Sequence, residues 1–246
     1  MNKLEGIPTV HYISLRESTD RRKKLESWFD LYNVKYIPHI FDRLYNLDMY
    51  DFSHSFPNMV KPIFISHFTV LRDWYFNTDE ELTFICEDDL SLETVQYWNF
   101  TWKEFESKLP DNWQCVQLQI IRHQHKWETP YDYKFTSREP LKRGHWGACA
   151  YLIKREYVEN LILKYNQYVH KFTLNLGVQI EPDLEQVLFL DIHRRVYVFP
   201  LFVEDCYGSN TTRENKPDEF QFFSYDYITN WWKTTGCKLS LDQIFS

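Results

Sequence analysis

Runs of strand-forming residues alternate with stretches of helical period along most of this chain, and that alternation constrains its fold more than any other feature. Thr9-Val10-His11-Tyr12-Ile13-Ser14-Leu15 has strand character and ends in a polar turn. Arg21 to Tyr32 then places Leu25, Trp28, Phe29 and Tyr32 at helical spacing, with Ser18, Thr19 and Asp20 as candidate caps. Val34 to Phe41 reads as a second strand, in which Pro38 marks an edge or a bulge. Asp42 to Asn58 lacks a period and reads as a long loop over one face. Pro62 fits the first turn of a further helix with Phe64, Phe68, Leu71 and Tyr75 on its apolar stripe. His67 lies beside that stripe, where a partly buried structural role is the default. Strand, helix, strand, helix in this order is the signature of a mainly parallel sheet with helices on both faces.

The next strand carries an unusual ending. In Leu82-Thr83-Phe84-Ile85-Cys86-Glu87-Asp88-Asp89-Leu90 a buried-type run meets three consecutive carboxylates. On a pleated backbone Glu87 and Asp89 share one side and Asp88 takes the other. Two hard oxygen ligands are therefore expected together at the carboxyl end of a strand, which is where open α/β sheets bind ligands. A divalent cation held by one or two carboxylates and completed by water and substrate phosphates is a common way of handling a nucleotide. The triplet alone leaves a solvated acidic turn open as the alternative.

Further along, Thr94 to Leu109 spaces Val95, Trp98, Trp102, Phe105 and Leu109 as one helix stopped by Pro110. Cys115 to Ile121 alternates like a strand. Arg122 to His145 is irregular and suits an acceptor-binding or a generic surface loop; His123 and His125 within it are a pair without a third ligand. Gly147 to Ile153 is a small-residue strand that lets a backbone or ligand approach closely. Lys154 to Tyr168 follows as a helix. Glu181-Pro182-Asp183-Leu184-Glu185 opens another, and capping by itself accounts for its acids. Arg195 to Phe199 is a last strand closed by Pro200. Trp231-Trp232 and the apolar Leu239, Leu241, Ile244 and Phe245 make 204–246 a C-terminal strap on a single domain spanning 1–246.

Composition removes several function classes. With 6 glycines and neither a G-x-G-x-x-G nor a G-x-x-x-x-G-K run, a glycine-rich phosphate loop is not expected. A net charge of -7 argues against sequence-independent nucleic-acid binding. The 5 cysteines are isolated and odd in number, which reads as buried thiols in a reducing compartment. With no transmembrane run and no apolar leader, the expectation is a soluble, intracellular, cytoplasmic protein.

Four motifs, taken in order, resemble glycosyltransferase family 25, which includes lipooligosaccharide glycosyltransferases and collagen galactosyltransferases. Tyr12-Ile13-Ser14-Leu15-Arg16 through Thr19-Asp20-Arg21-Arg22 is similar to the family's strand-loop-helix start, and Ile65-Ser66-His67 to its Leu-Ser-His. Phe84 to Leu90 is similar to its strand ending in Glu-Asp-Asp, and Gly147 to Ile153 to its Gly-x-x-Ala-Tyr-x-Ile strand. Ser14 stands where the family usually has Asn, and Pro62 replaces a glycine expected before the Ser-His helix.

The resemblance implies a GT-A-like, Rossmann-like fold and a nucleotide-sugar donor, UDP-linked, whose sugar passes with inversion to a glycan or glycoprotein hydroxyl. It implies manganese or magnesium on Glu87 and Asp89, and a donor pocket of Ser14, Arg16, Arg22, His67 and Asp88. Arg21 flanks the same loop, where guanidinium groups beside a helix N-terminus suit a diphosphate. The expected general base is Asp183, with Glu181 and Glu185 as alternates. A catalytically silent sugar-nucleotide or glycan-binding protein with the same fold is the rival reading.

Overall fold

The computed structural model describes residues 2–43, 51–52, 60–121, 133–138, 146–162, 165–166, 171–172, 184–189, 191, 193–205 and 219–246. Strand β1 (Val10–Leu15) runs into helix α1 (Thr19–Leu31), and β2 (Tyr36–Phe41) returns parallel to β1. After the short β3 (Asp51–Phe52), α2 (Val60–Asn77) leads to β4 (Leu82–Glu87), which pairs parallel to β1 on its other flank. Next come β5 (Leu90–Ser91), α3 (Trp102–Ser107), β6 (Cys115–Gln117), β7 (Thr136–Ser137) and β8 (Ala150–Lys154). They are followed by α4 (Arg155–Ile162), β9 (Tyr165–Asn166), β10 (Lys171–Phe172) and α5 (Leu184–Leu188). Then β11 (Val196–Val198), β12 (Val203–Glu204), α6 (Glu219–Thr234) and α7 (Leu241–Phe245) complete the order.

The central sheet has the order β2-β1-β4-β8-β6-β11-β7. Every strand in it but β8 and β7 points the same way, so it is mixed and mostly parallel. Pro38 sits on β2 at the sheet edge, where its missing N–H costs no ladder bond. The two faces follow from strand alternation. Val10, Tyr12, Phe84 and Cys86 point into one core with Leu25 and Phe29 of α1, Trp102 and Phe105 of α3, and Trp232 of α6. Ile13, Ile85 and Ile153 point into the other, with Phe64, Phe68 and Leu71 of α2, Leu161 of α4 and Leu184 of α5. The expected cover of helices on both faces is present. No helix among the described residues is long and apolar enough to cross a membrane.

Two sequence expectations are corrected. The helix expected over Thr94 to Leu109 is a 3-10 turn at Glu93–Tyr97 and then α3, which starts behind a capping box of Thr101 and Glu104. Between them Trp98 and Phe100 turn inward and stack on each other at 5.4 Å, and both meet Trp232 at 6.1 Å. Aromatic burial of that size outweighs helix continuity. The helix expected over Lys154 to Tyr168 ends at Ile162 among the described residues, and Tyr165–Asn166 pairs as a strand with β10. Within the mostly parallel sheet β8 runs antiparallel between β4 and β6, so its amino end lies beside the carboxyl end of β4. The Glu87 N–H donates to the Cys149 carbonyl at 2.8 Å across that junction.

Candidate functional site

The chain goes from β1 outward to β2 on one side and later places β4 on the other. The carboxyl ends of β1 and β4 are therefore a topological switch point, where open α/β sheets leave a crevice for ligands. Ser14 is next to last in β1, and β4 ends at Glu87. The Ser14 hydroxyl donates to Asp88 Oδ2 at 2.6 Å and accepts from Arg22 Nη1 at 3.1 Å. Arg22 also donates to the backbone oxygens of Leu15 and Arg16, bracing the β1–α1 loop from inside.

The three acids do not divide as strand alternation predicts. Glu87 faces α2, where its Oε1 accepts from His67 Nε2 at 3.0 Å. Asp88 faces α1 instead, and Arg21 Nη2 reaches its Oδ1 at 2.7 Å. Asp89, expected with Glu87, joins Asp88: the same Arg21 nitrogen meets its Oδ2. The reason is local. The strand ends at Glu87 and the chain turns at Asp88 and Asp89 into β5, so the period of two stops where the second acid begins. Pairing of β5 with β12 holds that turn, and the Asp205 N–H donates to the Asp89 carbonyl at 2.6 Å.

His67 is fully buried rather than partly so. Burial holds the proton on Tyr151, and its hydroxyl donates to His67 Nδ1 at 3.0 Å. The Glu87 carboxylate can only accept, which assigns a ring proton to Nε2 as its donor. Glu87 keeps 29% of its side chain exposed, more than either aspartate. Burial pulls its carboxyl upward, but the His67 hydrogen bond and the nearby positive charge win and hold it below the usual range. Asp88 goes the other way: burial first, then the charge of Asp89, push it up to about 7 despite Arg21. Asp89 is also raised, by burial. Opposed shifts among neighbouring acids are common at functional sites.

The remaining expected residues scatter. Arg16 is 67% exposed and pairs with Asp42 at 2.6 Å on the surface. Asp183 and Glu181 lie outside the described residues, as do His123 and His125; of Glu185 the structure describes only its place in α5. Arg21 was expected to grip a diphosphate, and two further contributors, Cys149 and Lys24, were not in the expected set. Arg21 is the shared partner of both aspartates. The Cys149 thiol, which burial and then Asp89 keep protonated, donates to Asp89 Oδ1 at 3.3 Å. Lys24 pairs with Asp205 at the rim. Arg21 carried a signal: it lies one helical turn before buried Leu25, on the face that α1 turns inward.

The expected metal can be tested against these contacts. Asp88 commits one oxygen to Ser14 and the other to Arg21; Asp89 commits one to Cys149 and the other to Arg21. Glu87 is turned toward His67. Among the described residues no group of three or more His, Cys, Asp and Glu side chains is set to hold a metal ion. In this arrangement they do not fit a divalent cation.

No family model matches the chain, and no curated protein matches it. Of solved structures, it is similar to A197 from STIV, with 13% identity and a TM-score of 0.43 over 80% of this chain and 84% of that one. It is also similar to a glycosyltransferase involved in the glycosylation of the major capsid of PBCV-1, with 8% identity and a TM-score of 0.43 over 78% of this chain and 82% of that one. Likeness at that level carries no argument about activity.

Proposed function

We propose that this protein transfers a sugar from a nucleotide-sugar donor to a hydroxyl acceptor. The observation that carries the reading is the bond from Ser14 to Asp88 across the β1/β4 switch point, with Arg21 and Glu87 gathered at the same crevice. The sugar-nucleotide class comes from the four motifs that resemble family 25, all of which contribute a residue here: the β1–α1 start, Ser66-His67, Glu87-Asp88-Asp89, and the Gly147 to Ile153 strand through Cys149 and Tyr151.

In the proposed reaction the acceptor oxygen attacks the anomeric carbon and the bond to the diphosphate breaks. The acceptor proton passes to a carboxylate. Asp183 is proposed for that role, with Glu181 and Glu185 as alternates, on the resemblance to family 25, in which an acid precedes an apolar helical run. Glu87 is held by His67 and faces solvent in part, which suits it to orient a donor hydroxyl. Arg16 is proposed to meet the leaving diphosphate, since an exposed ion pair such as Arg16–Asp42 opens at little cost.

The pairing of Asp88 and Asp89 with Arg21 favours the rival reading, a catalytically silent sugar-nucleotide or glycan-binding protein with the same fold. A panel of nucleotide sugars, read first by thermal stabilisation and then by release of nucleoside diphosphate with glycan acceptors, decides between them. Stabilisation with release supports transfer; stabilisation alone supports the rival. A panel that moves neither readout rejects both.

A further inference from the structure

Arg21 is not a mobile surface arginine. Its side chain is 19% exposed, and those of Asp88 and Asp89 are 6% and 9% exposed. One turn further along α1, Leu25 and then Phe29 are buried in the core beneath the sheet, so the backbone that carries Arg21 is fixed relative to β4. A single nitrogen, Nη2, contacts both acids, and Ser14 and Cys149 donate to the oxygens it leaves. A divalent ion bridging the pair would have to take the same lone pairs from the same point. Arginine cannot give up its proton to make room, and two cations that close repel strongly where water is excluded.

We propose that Arg21 is the built-in counter-cation of this site, and that its guanidinium and a divalent metal compete for Asp88 and Asp89. While Arg21 is seated, the pair is closed to metal. This goes beyond the transfer reading and does not depend on it.

Manganese alone is the probe, read by loss of the free-ion signal in electron paramagnetic resonance and by melting temperature. The expected result is that Arg21→Gln, shown folded by circular dichroism, binds manganese about tenfold more tightly than the parent or better. Adding Asp88→Asn and Asp89→Asn to that variant should remove the gain. Equal affinity in parent and Arg21→Gln overturns the proposal, and so does a gain that survives both Asn changes. If Arg21→Gln does not fold, the parent and its Asp88→Asn variant decide. Manganese binding by the parent that Asp88→Asn abolishes overturns the proposal, and absence of such binding supports it. No sugar nucleotide enters the measurement, so its failure and a failure of the transfer reading are separate results.

Discussion

Ser14 and Asp88 are 74 positions apart in sequence, and a hydrogen bond of 2.6 Å joins them across the ends of β1 and β4. The bond closes the switch point and fixes which face Asp88 presents. Ser14→Ala leaves a buried carboxylate oxygen without this donor, which costs about 1.5–3 kcal/mol for a bond to a charged group. Urea unfolding at pH 8 checks it; a loss below about 0.5 kcal/mol would show that the bond does not hold the crevice together.

Tyr151 supports Glu87 through His67 rather than directly. Tyr151→Phe keeps the ring in its place but leaves His67 Nδ1 buried without its donor. The expected cost is about 1–3 kcal/mol, with a fall in melting temperature as the readout. A variant as stable as the parent would argue that the chain from Tyr151 to Glu87 is not formed in solution.

Gly147 adopts φ +102°, and a Cβ built there would lie 2.3 Å from Gln119 Oε1. Gln119 can shift its amide, but the backbone cannot relax without disturbing the approach to β8. Gly147→Ala is expected to destabilise by about 1–3 kcal/mol. Because Cys149 follows two residues later and contacts Asp89, the variant should also weaken binding of any ligand at the crevice. Unchanged denaturation would contradict the assigned backbone conformation.

His11 and His39 stack on neighbouring strands with ring nitrogens 2.9 Å apart. Burial first, then the charge of His39, push His11 down to about 4, against a smaller opposing pull from Glu80. His39 is lowered as well, by burial, with Asp73 opposing. The unfolded chain thus binds more protons than the folded one in acid. The stability held by His11 is complete above about pH 6.5, and it is lost as pH falls from there through about 4. The loss reaches up to about 3 kcal/mol. Unfolding free energy measured between those pH values should fall less steeply in His11→Gln; an identical acid limb would remove the assignment.

Much of the frame was legible in local pattern. Leu25 and Phe29 at helical spacing marked the inward face of α1, and Phe64, Phe68 and Leu71 did the same for α2. Pro38 marked the edge strand. Ser14, Glu87 and Asp88 were singled out from sequence and meet at one crevice. Arg21 was singled out too, for a diphosphate, but its pairing with Asp88 and Asp89 depends on a turn far along the chain and was not legible. Trp98 was misread because its spacing matches a helix, whereas its burial against Phe202 and Trp232 is decided by residues more than a hundred positions away.

The amino-acid order by itself determined the alternation of strands and helices, the two buried faces, and the delivery of three acids to a strand's end, since each depends on periods of two or 3.6 between near neighbours. The tertiary structure alone decided that β8 runs backward beside β4, that Asp89 leaves Glu87 to join Asp88, and that one guanidinium serves both aspartates. Those outcomes depend on where the strand stops and on which distant side chains reach the turn, and neither is encoded in the spacing of adjacent residues.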